Sequence, residues 1–172
     1  SGIVMLFQKK KVKGYNGRAR LIDPDTVQLS SGDSTLKLRA KHIILATGSR
    51  PATMRGVESD GKLIGASTMA LGFSEVPKHL VVIGGGYIGL ELGSVWRRLG
   101  SKVTVLEALD RILPGMDAEI AQLAHRTFEK QGIEFRIGSW VESAKVVNGT
   151  CQVNCKGEPS IECDRILLST GR

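Results

Sequence analysis

Residues 80–107 read LVVIGGGYIGLELGSVWRRLGSKVTVLE, and the order of residue types in this stretch decides the fold. An apolar run, Leu80–Ile83, leads into Gly84-x-Gly86-x-x-Gly89 and then into an amphipathic helical pattern. A second apolar run, Val103–Leu106, ends on Glu107. Strand, glycine turn, helix, strand and terminal acid is the order of a dinucleotide-binding unit. Gly84 permits the tight turn, Gly86 leaves room for a pyrophosphate against the backbone, and Gly89 lets the helix pack close to the strand. The helix start offers free N–H groups and a partial positive charge to phosphates. Glu107 stands about 20 residues beyond the turn, where an acid accepts hydrogen bonds from the adenosine ribose.

Glu107 also bears on which cofactor fits. A carboxylate suits a free 2′-hydroxyl and repels a 2′-phosphate. The nearest following Arg is Arg111, not a direct neighbour. The pattern therefore favours NAD over NADP.

Outward from this stretch, the composition changes. The chain has 172 residues and a net charge of +7. Residues 1–79 carry 13 Lys/Arg against 6 Asp/Glu, whereas residues 80–172 carry 11 of each. The shift supports a boundary near residues 70–79, and the expected domains are 1–69 and 70–172. Apart from Lys9, Lys10, Lys11 and Lys13 the basic residues are scattered, and few aromatics interleave with them. A solvated face is favoured over a nucleic-acid surface. No apolar run approaches the roughly 20 residues of a membrane span, and the positive cluster follows the first apolar stretch, the reverse of a secretory signal. The expectation is a cytoplasmic protein with no membrane or nucleic-acid partner. Cys151 and Cys155 lie in CQVNC, an alternating strand pattern that separates them by about 13 Å, too far for a disulfide. All three cysteines, with Cys163, read as reduced and structural, and no metal site is expected.

The coarse secondary structure is consistent with two kinds of architecture. Gly2–Lys11 reads as a short helix with Ile3, Leu6 and Phe7 on one face. Strands are expected at 18–22, 26–29 and 35–40, separated by Asp23-Pro24-Asp25 and Ser30–Asp33, which makes a β-meander. Lys41–Ala46 is continuously apolar enough for a strand buried on both faces, and Pro51–Lys62 reads as a loop. The 3.6-residue period predicts helices over 87–99, with Ile88, Leu92, Val95, Trp96 and Leu99 inward, and over 118–131, with Ile120, Leu123, Ala124, Thr127 and Phe128 inward. Asp117 is the expected N-cap of the second, and Gly100 and Gly132 are the expected stops. Strands at 133–137 and 165–169 complete a parallel sheet. Residues 141–147, 151–155 and 159–163 form an antiparallel excursion around an Asn148-Gly149 turn. The fold class is α/β: a Rossmann-like domain with a small antiparallel excursion, preceded by the meander. IILATGSR (43–50) and ILLSTGR (166–172) are near-identical phrases, each a strand ending in Thr-Gly at a sheet's carboxyl edge, where such sheets bind ligands.

The combination of ATGSRP, VVIGGGYIGLELGSVWRRLGSKVTVLE, LDRILPGMD and LLSTGR resembles the flavin-dependent pyridine nucleotide–disulfide oxidoreductases over essentially the whole chain. Within that family it is most similar to the members that oxidise dihydrolipoamide, carried on the acyltransferase of 2-oxo acid dehydrogenase complexes, and that work as homodimers. The resemblance implies that residues 1–69 belong to an FAD domain and 70–172 to an NAD domain. It implies NAD contacts at Gly84, Gly85, Gly86, Tyr87, Ile88, Gly89, Leu90, Glu91, Glu107, Val141 and Gly171, and FAD contacts at Ala19, Thr47, Gly48 and Ser49. Tyr87 is either a lid between nicotinamide and flavin or a packed aromatic. Glu91 is either the family's acid near the nicotinamide or an ordinary first-turn acid favoured by the helix dipole.

The departures from the family pattern matter as much. The family's FAD-binding GxGxxG, its redox-active CxxxxC and its C-terminal His-Pro segment have no counterpart in this sequence. His125 and Glu129 are four apart on a helix and read as a surface pair. The chain is thus expected to be the central portion of such an enzyme, with no catalytic residue of its own and no activity alone. The alternatives are a mercuric reductase-like or transhydrogenase-like member, or a stand-alone NAD-binding module.

Overall fold

The computed structural model describes residues 2–172. The chain divides into two compact units, Ser1–Gly48 and Ser49–Arg172.

The first unit carries helix α1 (Gly2–Lys9) and strands β1 (Arg18–Asp23), β2 (Thr26–Ser31) and β3 (Ser34–Arg39). The strands form an antiparallel meander in the order β1-β2-β3, as the turn residues suggest. Asp23 Oδ1 accepts from the Asp25 N–H at 3.0 Å and closes the first turn, which is the local bond that makes Asp a turn residue. α1 buries none of its residues.

One expected element is missing. Residues 43–48 form no strand, and Ile44 is 89% exposed. An apolar run becomes a buried strand only when neighbours bond both edges and cover both faces. Among the described residues none does so here.

The second unit begins with strand β4 (Ile64–Gly65) and the short helix α2 (Ser67–Ala70), followed by β5 (His79–Ile83), α3 (Tyr87–Arg98), β6 (Lys102–Glu107), α4 (Ala118–Lys130) and β7 (Ile133–Ile137). Then come β8 (Val141–Val147), β9 (Thr150–Cys155), β10 (Ile161–Cys163) and β11 (Arg165–Leu168). Five strands make a parallel sheet in the order β4-β11-β5-β6-β7, and three make an antiparallel sheet in the order β10-β9-β8. Residues 49–69 belong to the second unit, whose parallel sheet β4 joins, so the division falls 21 residues ahead of residue 70. A two-residue strand carries no charge signature by which to find it.

The parallel sheet is covered on both faces. Leu80, Val82, Val103, Val105 and Leu167 pack towards Leu90 and Trp96 of α3. Val81, Ile83, Leu106, Ile166 and Leu168 pack against Val141, Ala144, Cys151 and Val153 of the antiparallel layer. Two-sided burial is why β5 and β6 read as continuous apolar runs rather than alternating ones.

Both long helices bury only part of the face their large apolar residues suggest: Leu92 and Trp96 of α3 and Ala124 and Phe128 of α4 pack on the core, and small residues complete the contact. α3 buries Gly89, Leu90, Gly93 and Trp96, while Val95 and Leu99 are exposed. The glycines let the helix lie close to the sheet, so the smallest side chains mark the inner face. α4 buries Ala121, with Ala124 and Phe128 packed on the core. Ile120 and Leu123 are exposed. Asp117 caps α4, accepting from the N–H of Glu119 at 3.0 Å and of Ile120 at 3.4 Å.

The three cysteines are free and buried. The cross-strand neighbour of Cys151 is Cys163, not Cys155. Donating its S–H to Cys151, and buried besides, the Cys163 thiol is pushed far above the ordinary thiol range. No helix among the described residues is long and apolar enough to cross a membrane.

Candidate functional site

The carboxyl ends of the parallel strands border a cleft of about 1020 Å³. Its floor is the glycine turn between β5 and α3. Gly84 takes φ 105°, and a Cβ there would lie 2.6 Å from the carbonyl oxygen of Ser169. The Gly84 N–H donates to Leu106 O at 2.8 Å, tying the turn to β6. A Cβ on Gly89 would lie 2.5 Å from Gly84 O, 2.5 Å from Ser169 Oγ and 2.9 Å from Val82 Cγ1. Both glycines are demanded by packing.

Gly86 differs. Its φ of −78° suits any residue, and a Cβ there would meet nothing within 4 Å. What glycine provides at this position is open space in front of the backbone, on the cleft side. Gly86 is also the N-cap of α3 and supplies no side-chain cap, so the N–H groups of the first turn face the cleft uncapped.

Glu107 closes the arrangement. It is 8% exposed and lines the cleft. Its Oε2 accepts from the Gly85 N–H at 2.7 Å and its Oε1 from the Leu109 N–H at 2.8 Å. Two bonds leave lone pairs on a carboxylate for further donors. The acid is thus fixed beside the glycine turn, on the lining of the cleft. Arg111 lies outside the cleft lining, its Nη2 donating to Pro114 O at 3.3 Å.

The far wall comes from the antiparallel excursion and from β11. Ser139 donates its N–H to Glu107 O at 2.9 Å. Ser139, Trp140, Val141 and Glu142 line the cleft. Ser169 Oγ stands 3.0 Å from the carbonyl oxygens of both Ile83 and Gly84, stitching β11 to the glycine turn. Past it, Thr170, Gly171 and Arg172 line the opening together with Pro51–Gly56. Ala52 N–H donates to Gly171 O at 2.9 Å, and Arg172 donates to Ser49 Oγ at 2.8 Å and Ser49 O at 3.1 Å. The ends of the two similar phrases therefore meet.

Of the expected NAD residues, Gly84, Gly86, Tyr87, Ile88, Glu107, Val141 and Gly171 line the cleft. Gly85 and Gly89 build it from beneath. Leu90 is 2% exposed and belongs to the core, and Glu91 is exposed on α3 outside the cleft lining. Of the expected FAD residues, Ala19 lies on β1, and Thr47 and Gly48 lie in exposed non-repetitive chain. Arg55, Ser139, Trp140, Glu142 and Ser169 were not expected. Ser139 and Trp140 lie in the link from β7 into the antiparallel sheet and Glu142 lies at the start of β8, positions that carry no sequence motif.

A parallel sheet with an uncapped helix start, an open glycine and a buried acid at one edge has the form of a nucleotide-binding unit of the Rossmann class. The chain belongs to the pyridine nucleotide-disulphide oxidoreductase family, whose model matches residues 1–172. It is 46% identical over 178 residues to a leghemoglobin reductase of Glycine max, covering 99% of this chain and 34% of that protein. It is 45% identical over 178 residues to a mitochondrial dihydrolipoyl dehydrogenase of Pisum sativum, covering 99% of this chain and 35% of that protein. The structure of LpdA from Mycobacterium tuberculosis superposes with a TM-score of 0.86 at 25% identity, over 99% of this chain and 39% of that one. The chain thus spans about a third of the length of these curated relatives.

Proposed function

We propose that the cleft of the second unit binds NAD(H), and that the protein to which this chain belongs is a dihydrolipoyl dehydrogenase. The single observation that carries the cofactor reading is Glu107: a buried carboxylate, pinned by two backbone N–H groups beside an open glycine turn. In this reading the pyrophosphate lies over Gly86 and the start of α3, and the ribose hydroxyls donate to Glu107. Val141 borders the adenine, Gly171 approaches from β11, and Tyr87 and Ile88 border the nicotinamide. Gly84, Gly85, Gly89 and Leu90 hold the turn and helix in place. Glu91 stands one turn further along α3.

The whole-protein reaction we propose is dihydrolipoamide plus NAD⁺ giving lipoamide, NADH and a proton, passed through FAD and a redox disulfide. The family membership and the dihydrolipoyl dehydrogenase among its relatives support it. The residues of this chain bind and orient, while the cofactors carry the chemistry. Ala19, Thr47, Gly48 and Ser49 are assigned to FAD on the family resemblance, with 1–69 as part of the FAD domain and 70–172 as the NAD domain. The partner is dihydrolipoamide on the acyltransferase of a 2-oxo acid dehydrogenase complex, in a homodimeric enzyme. We assign the protein to the cytoplasm; the pea relative's name places that protein in the mitochondrion. A second reading, a different flavoprotein disulfide reductase, draws on the leghemoglobin reductase among the relatives.

The test is titration of NADH and NADPH against the chain and against Glu107→Arg. A 2′-phosphate set against the buried acid meets a like charge at close range, worth several kcal/mol at the effective dielectric of a protein surface. NADH is expected to bind about tenfold or more tighter than NADPH, and the Glu107→Arg variant to lose or reverse that ratio. Tighter NADPH binding by the wild type, or an unchanged ratio in the variant, overturns the assignment of Glu107.

A further inference from the structure

We propose that Trp140 forms the base-binding wall of the cleft, stacking its indole on the adenine of the bound dinucleotide. The inference rests on the NAD reading above and extends it to a residue outside the family motifs.

The sheet order supplies the first argument. Along the carboxyl edge the strands run β5, β6, β7. The glycine turn follows β5, Glu107 ends β6, and Trp140 follows β7. Neighbouring strands lie about 4.8 Å apart, so the three stations span about 10 Å in sequence. Phosphate site, ribose acid and aromatic wall thus succeed one another in the order of the parts of a nucleotide.

The second argument is the state of the side chain. Trp140 is 60% exposed, unusual for a residue type that is buried on average. The chain's other tryptophan, Trp96, is 8% exposed and packs at 5.1 Å on Phe73. Among the described residues Trp140 has no aromatic or cation–π partner. Its apolar surface instead borders the cleft.

The third argument is rigidity. Gly138 N–H donates to Leu109 O at 3.0 Å, Ser139 N–H to Glu107 O at 2.9 Å, and Lys156 N–H to Trp140 O at 2.9 Å. Ser139 Oγ also bonds Glu158 Oε1 at 2.6 Å. On the following side, Val141 is buried in the core. An indole on so fixed a backbone loses little freedom when a base stacks on it, which favours binding. Stacking is tolerant of base identity because every base has a π-face, so this wall adds affinity rather than selecting adenine.

The experiment compares the chain with Trp140→Ala and Trp140→Phe, using NADH and reduced nicotinamide mononucleotide, which lacks the adenosine half. Base–aromatic stacking removed by alanine costs about 5-fold to 150-fold in affinity. Trp140→Ala is expected to weaken NADH by at least about fivefold, to leave the mononucleotide unchanged, and to be largely rescued in Trp140→Phe. Since Trp96 is buried, AMP is expected to quench the indole fluorescence of the wild type and not that of Trp140→Phe. If the wild type binds NADH and Trp140→Ala binds it equally, the inference fails while the NAD reading stands. If the wild type binds no NADH, both fail. Equal loss for NADH and the mononucleotide would make the effect structural and also overturn the stacking role.

Discussion

IILATGSR at 43–50 and ILLSTGR at 166–172 are almost the same words in two structural states. In the second, Ile166 and Leu167 are fully buried, on a strand paired with β4 on one edge and β5 on the other. In the first, Ile44 and Leu45 are 89% and 73% exposed and belong to no strand. The residues do not differ enough to explain this. The neighbours do: β11 enters a slot between two strands, with helices over one face and an antiparallel sheet over the other. Strand preference is mostly a measure of fit to such a slot.

The largest expected effect tests this contrast directly. Ile166→Ala is expected to destabilise the second unit by about 2–5 kcal/mol, the range for deleting a buried aliphatic side chain. Ile44→Ala is expected to change stability by less than about 0.5 kcal/mol, as for an exposed site. Denaturant unfolding, followed by tryptophan fluorescence for the second unit and by circular dichroism for the whole chain, measures both. Equal effects would mean that the first phrase is packed as the second is.

A smaller effect separates two glycines of one turn. Gly89→Ala places a methyl against Gly84 O and Ser169 Oγ, and overpacking of this kind costs about 1–3 kcal/mol. Gly86→Ala meets nothing within 4 Å and has an ordinary φ. It is expected to hold or raise stability by up to about 1 kcal/mol, while weakening NADH binding. Thermal unfolding and cofactor titration on the same two variants give the comparison. A Gly86→Ala protein that binds NADH as the wild type does would remove the pyrophosphate from that position.

Much of the second unit was legible because its signals are local. Two-sided burial wrote β5, β6 and β11 as apolar runs. Asp117 announced α4 through a capping bond made within three residues, and Asn148-Gly149, both at positive φ, announced the hairpin. Glu107 was legible as the acid that ends the second apolar run, and the structure sets it beside the glycine turn. The illegible parts depend on distant partners. The inner face of α3 is marked by Gly89 and Gly93, which a count of large apolar residues passes over. β4 exists because β11 bonds it. Pro51–Lys62 reads as a loop, yet within it Gly56 and Val57 meet β8, with Ala144 N–H donating to Gly56 O at 3.0 Å. Trp140 carries no motif, and its place on the cleft lining follows from the order of the strands.

The most direct test of the account is a map of backbone amide chemical shifts during titration with NADH. The largest changes are expected at Gly86–Ile88, Glu107 and Trp140, the three stations along the carboxyl edge of the sheet, with the outer face of α4 at Ile120 and Leu123 unmoved. Changes centred away from the glycine turn, or none at saturating NADH, would contradict the assignment of this cleft.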